Sequence, residues 1–190
     1  YSTTVKVSKS ASEGWAQNDP DYSLAGAVYG IYRTQGDAEA DENRVVTVTT
    51  GADGSGESES LGATRDTFYA KEVSPSPGYA LDPNVYEVTP ENGYAFASEE
   101  PPVTARIVLK KVDAETDAGA AQGDATLDGA VYQASYDRGG ETETVEGTTV
   151  DGTIVFEGIP LGEVEIREVS PSGGYLLDRE VHRIEVTADM

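Results

Sequence analysis

Four landmarks recur in the same order along this chain, and that repetition limits its fold more than any other feature. Val5-Lys6-Val7-Ser8-Lys9 returns as Ile107-Val108-Leu109-Lys110-Lys111. Leu24-Ala25-Gly26-Ala27-Val28-Tyr29 returns as Leu127-Asp128-Gly129-Ala130-Val131-Tyr132, and the turn Asp53-Gly54 as Asp151-Gly152. The longest match runs from Lys71-Glu72-Val73-Ser74-Pro75 through Gly78-Tyr79 to Leu81-Asp82; it comes back as Arg167-Glu168-Val169-Ser170-Pro171 through Gly174-Tyr175 to Leu177-Asp178. The offsets are 102, 103, 98 and 96. Their decrease assigns extra loop residues to the middle of the first copy, and the acidic stretch Gly36 to Asn43 is the natural place. Four ordered matches of this length mark a tandem duplication.

The copies meet near Glu99-Glu100-Pro101-Pro102, where paired prolines make a stiff connector. The reading is therefore one domain over 1–102 and a second over 103–190. Six basic and seventeen acidic residues precede Val103, while seven and eighteen follow, so each half carries −11 of the total −22. Like charge on both halves favours an extended arrangement and repels nucleic-acid phosphates and anionic lipid. No apolar run reaches the roughly 18–20 residues of a membrane helix, and no leader pattern opens the chain. A start at Tyr1 rather than Met suggests a piece of a longer protein.

Cysteine is absent and His182 is the only histidine. Disulfides, thiolate metal sites and cysteine nucleophiles are thereby excluded, and the expectation is no metal and no cofactor. Gly, Pro, Tyr, Val and Thr instead suit short strands joined by tight turns. Alternation places strands at about 3–9, 24–33, 44–50, 56–61, 66–73, 84–89 and 93–98. The second copy repeats six, at about 104–112, 128–136, 142–149, 153–157, 162–169 and 180–187, with a seventh due to begin at Met190. No segment shows helical periodicity. Two tandem all-β, Ig-like β-sandwiches follow.

The strand alternation also aims charge inward. Val5, Val7 and Lys9 share a face, as do Ile107, Leu109 and Lys111; Phe68, Ala70 and Glu72 share another, as do Val164, Ile166 and Glu168. An unpaired buried charge costs several kcal/mol, so these groups must be paired, neutralised or consumed by chemistry. A buried Lys–Glu pair, or strand ends whose charged heads reach water, satisfies that demand.

A strand ending in lysine, then Leu-Xaa-Gly-Ala-Xaa-Tyr, a Thr…Asp-Gly turn and Glu-Val-Ser-Pro-Xaa-Xaa-Gly-Tyr together resemble the B-type repeat of Gram-positive collagen adhesins, the CnaB-like module also found in SpaA-like pilins. The resemblance covers nearly all of both halves. It implies a prealbumin-like sandwich serving as a stalk or pilin module of a secreted surface protein, attached to the cell wall by sortase. The implied partners are neighbouring domains of the same protein; a ligand-binding role toward a host matrix protein or glycan is the alternative. Neither nucleic acid, membrane insertion nor catalysis on an external substrate is expected.

In that family a first-strand lysine attacks an Asn or Asp on the last strand to form an isopeptide bond, promoted by a buried acid on the strand before the Pro…Gly-Tyr block. By position the resemblance assigns Lys9 and Glu72 in the first copy and Lys111 and Glu168 in the second. Burial favours the neutral forms of amine and carboxyl alike, which suits nucleophile and proton shuttle. The sequence departs from the pattern at the acceptor. Following Tyr94 and Phe96, the inward positions of the first copy's last strand are Ser98 and Glu100. Lys9 and Glu72 are therefore expected as an ion pair with Glu100 as a possible third member or unusual acceptor, and the second copy is expected to lack the bond and to expose an edge beside Lys111.

Asp37, Glu39, Asp41 and Glu42 match no calcium loop and read as solvated. His182 reads as a surface residue, and Tyr29, Tyr132, Tyr79 and Tyr175 as packing residues. The family's Tyr-Pro-Lys polymerisation motif is missing.

Overall fold

The computed structural model describes residues 1–113, 123 and 125–189. They separate into two compact units, Tyr1–Pro102 and Val103–Met190.

Unit one holds seven strands: β1 (Lys6–Ala11), β2 (Val28–Tyr32), β3 (Val46–Thr49), β4 (Ser55–Glu57), β5 (Phe68–Ser74), β6 (Val85–Val88) and β7 (Ala95–Glu100). They form two sheets, ordered β4-β1-β7 and β3-β2-β5-β6. Val5, Val7, Tyr29, Ile31, Val48, Phe68, Ala70, Val88 and Phe96 fill the space between, each from the apolar face of an alternating strand. Fully burying side chains of this size stabilises by about 1.5–3 kcal/mol each before entropy is counted.

Unit two holds β8 (Thr104–Lys110), β9 (Val131–Arg138), β10 (Glu141–Thr148), β11 (Thr153–Pro160), β12 (Gly162–Ser170) and β13 (His182–Val186). Its sheets are β10-β9-β12-β13 and β11-β8. Met190, where the sequence reading begins a seventh strand, lies outside the described residues.

Two helical segments correct the expectation of none. A 3-10 turn spans Gly14–Asn18, and α1 covers Gln35–Ala40. Six residues are too few for periodicity to show, but Thr34 caps the helix by accepting from the Asp37 N–H at 3.1 Å, and Asp41 closes it with a left-handed φ of 51°. This helix is the extra length of the first copy; in unit two β9 turns into β10 through Gly139-Gly140 alone. Its acids are partly engaged within the loop: Asp41 accepts two bonds from Arg44 at 2.6 Å and one from the Tyr32 hydroxyl, and Asp37 accepts from Asn43.

Candidate functional site

Each lysine strand is held in place by repeated turn chemistry. The Thr50 hydroxyl accepts from the Ala27 N–H at 3.0 Å and donates to the Leu24 carbonyl, closing the loop before β2. Thr149 does the same for Ala130 and Leu127. The neighbouring Asp-Gly turn then meets the lysine backbone: the Lys9 N–H donates to the Gly54 carbonyl at 2.8 Å and the Lys111 N–H to that of Gly152 at 2.7 Å. Gly54 has φ 83°, and a Cβ there would stand 2.0 Å from the Lys9 carbonyl oxygen, so only glycine fits.

Lys9 and Glu72 meet inside unit one. Lys9 Nζ lies 3.2 Å from Glu72 Oε2, with both side chains fully buried. The second carboxylate oxygen, Oε1, accepts the Asp82 N–H at 2.9 Å. Unit two repeats the arrangement, with Lys111 Nζ 3.1 Å from Glu168 Oε2 and the Asp178 N–H 3.2 Å from Oε1. The Pro…Gly-Tyr block supplies a further contact. Its turn, closed by Tyr79 N–H to the Ser76 carbonyl and Tyr175 N–H to that of Ser172, sets each tyrosine ring 5.3 Å from a lysine Nζ. These two tyrosines are therefore cation-facing as well as packing residues. Tyr29 lies opposite Glu72 in the sheet and Tyr132 opposite Glu168. Burial first, with the glutamate charge adding, pushes both phenols above the usual tyrosine range.

On the far side of Lys9, β7 runs parallel to β1, pairing Lys9 with Ser98 and Ala11 with Glu100. The residue in register with the lysine is thus a serine, whose hydroxyl donates to Asp82 Oδ2 at 2.7 Å. Glu100 sits two residues beyond; among the described residues Glu72 is the acid within ion-pair distance of Lys9, and Glu100 feels the lysine at longer range. Burial, then repulsion from Asp82, raises the Glu100 carboxyl, with Lys9 partly opposing.

Asp82 is the residue that sequence reasoning missed. It is fully buried and accepts from the Tyr86 hydroxyl at 2.5 Å, from Ser98, and from both the backbone and side chain of Asn84. Burial works against its charge, but these donors outweigh burial and hold the carboxyl below the usual range. The available signal was its recurrence as Asp178 at the end of the longest repeated block. In unit two the counterparts of Asp82, Asn84 and Tyr86 are Asp178, Glu180 and His182, whose ligand-type atoms lie within 4.8 Å of one another. All three are exposed, and His182 Nε2 stands 3.5 Å from Asp178 Oδ2. This grouping was not expected of a lone surface histidine.

The domain description "SpaA: Prealbumin-like fold domain" matches residues 5–100 and again 105–190. The chain belongs to that family. Among solved structures, the Bacillus anthracis TIE protein is 22% identical over 98% of this chain, with a TM-score of 0.67, and shares the fold; this chain spans 31% of it. A Streptococcal ancillary pilin (18% identity, 97% of this chain, 58% of that one, TM-score 0.40) and the shaft pilin SpaA of Lactobacillus rhamnosus GG (16%, 97%, 93%, 0.39) are also similar. Among curated proteins none matches. Among the described residues no helix is long and apolar enough to cross a membrane.

Proposed function

We propose that the two units are spacer modules of a Gram-positive cell-surface protein, and that each first strand is pinned by a buried, non-covalent lysine–glutamate contact. Membership of a prealbumin-like domain family in both halves supports the spacer role. The observation that carries the non-covalent reading is Ser98 in register with Lys9, because a hydroxymethyl side chain has no carboxyl or carboxamide carbon for the amine to attack. The Tyr79 ring faces the Lys9 ammonium and the Asp82 N–H engages the second Glu72 oxygen, so the pair is held from within the unit and acts as a structural fastening. An accurate intact mass of the denatured chain tests this. The full calculated mass is expected. A deficit of one water would instead mean an amide between Lys9 and a carboxyl such as Glu100, and a trypsin-resistant join between their peptides would locate it.

A further inference from the structure

Of the four asparagines in this chain, Asn92 alone precedes a glycine. That pairing favours a side reaction of the backbone. Glycine has no side chain to shield its nitrogen or limit its rotation, so the nitrogen can reach the preceding carboxamide carbon. The structure turns that carboxamide away. Asn92 Oδ1 accepts the Thr89 N–H at 2.9 Å, and Nδ2 donates to the Glu87 carbonyl at 2.9 Å. The attacking nitrogen is engaged as well, because the Gly93 N–H donates to the Pro90 carbonyl at 3.2 Å. Asn92 is exposed to water, so hydrogen bonds rather than burial hold the two apart. The same clamp sets the start of β7. Gly93 and Tyr94 take left-handed φ values of 68° and 53°. The Tyr94 N–H returns to the Thr89 carbonyl at 2.9 Å, and the Tyr94 carbonyl receives the Lys6 N–H at 2.9 Å. Tyr94 is buried, and its hydroxyl donates to the Asp66 carbonyl at 2.8 Å.

We propose that Asn92 is a modification site gated by the folding of unit one. While the turn is closed, the clamp keeps the carboxamide from Gly93. When it opens, the Gly93 nitrogen bonds to Asn92 Cγ. Its proton passes through water to the departing Nδ2, and the Cγ–Nδ2 bond breaks to release ammonia. Water then opens the cyclic imide: attack at Cγ gives aspartate, and attack at the Asn92 main-chain carbonyl gives isoaspartate. Either product is a worse clamp. An aspartate oxygen in place of Nδ2 cannot donate to the Glu87 carbonyl and sets charge against it. Isoaspartate also lengthens the main chain by one methylene just before Tyr94, which pulls against the buried ring and the pairing of β7 with β1. Each opening thus leaves a lasting mark, and a marked unit opens more readily. Unit two contains no asparagine, so the mark belongs to unit one alone.

The test incubates the whole chain at mildly alkaline pH, folded in buffer and unfolded in guanidinium chloride, and digests samples at intervals. Peptide mass and chromatography then separate asparagine, aspartate and isoaspartate at position 92. Three hydrogen bonds must break before the folded turn reacts, so its rate should fall about a hundredfold or more below the unfolded rate. Unfolded Asn92 should also react well ahead of Asn18, Asn43 and Asn84. Asn92→Asp should lower the folded-to-unfolded ratio of unit one about fivefold, read from its denaturation midpoint. A folded rate within a few fold of the unfolded one would overturn the proposal, because the clamp would not be the gate. Equal reactivity of the four unfolded asparagines would overturn it by removing the role of Gly93. An Asn92→Asp chain as stable as the parent would overturn it too, because the mark would leave the fold untouched.

Discussion

The two units contain the same lysine–glutamate contact in different surroundings. The ion-pair distances are 3.2 and 3.1 Å, so the contact has the same length beside the parallel β7 in unit one and, among the described residues, with no parallel strand alongside in unit two. What changes is access to water. The Lys9 side chain is fully buried, that of Lys111 is 9% exposed, and buried Asp82 becomes Asp178, whose side chain is 45% exposed. β7 therefore contributes dryness and a hydroxyl donor for Asp82, not the pairing. The turn, the glutamate and the tyrosine assemble the pair by themselves.

The strongest perturbation of this comparison would make unit one covalent. Ser98→Asn puts a carboxamide in register with Lys9. Lys9 Nζ then bonds to the new Cγ and ammonia departs, with Glu72 relaying the proton. Intact mass should show loss of one ammonia, and closing so long a loop should add about 4–5 kcal/mol to the stability of unit one. An unchanged mass would show that register alone does not make an acceptor, and that the donors around Asp82 hold the position otherwise.

Removing the lysine should separate the units by a smaller margin. Lys9→Met leaves Glu72 buried with only the Asp82 N–H, at a cost of about 3–5 kcal/mol. Lys111→Met should cost about 1–3 kcal/mol, because water already reaches that end of the pair. Trp15, the sole tryptophan, reports unit one by fluorescence during urea unfolding, and amide signals report unit two. Equal losses would mean that β7 does not isolate the pair from solvent.

The smallest effect concerns acid. The Asp82 carboxyl is held below its ordinary 3.8, so its contribution is present above about pH 4 and is lost as pH falls through the lower folded value. Glu100, raised from 4.5, titrates with the opposite sign over a neighbouring range. In a Glu100→Gln background, Asp82→Asn should therefore flatten the acid limb of unit-one stability below about pH 4. An undiminished acid slope would place the labile carboxylate elsewhere.

Strand positions were legible because alternation with period two is a strong signal and the repeat supplied it twice. Lys9 and Glu72 stood out for the same reason: each continues an apolar parity. Asp82 did not, since it lies in the irregular stretch between β5 and β6, where no period assigns a face. The role of Ser98 was hidden too, because a hydroxyl's partner depends on a residue sixteen positions away. α1 was missed because its capping residue carries the information, not its length. The register of β1 on β7 was beyond reach of pattern alone: parity tells which residues face inward, not which inward residue faces which.

That register has a mechanical meaning. Six consecutive pairs, from Lys6 with Ala95 to Ala11 with Glu100, join two strands that point the same way. Tension drawn from the start of β1 to the end of β7 therefore runs along the strands and loads those hydrogen bonds together in shear. They cannot be peeled one at a time from an end, as an antiparallel hairpin can, so unit one resists force by a patch of bonds yielding at once, with the lysine anchored in its interior.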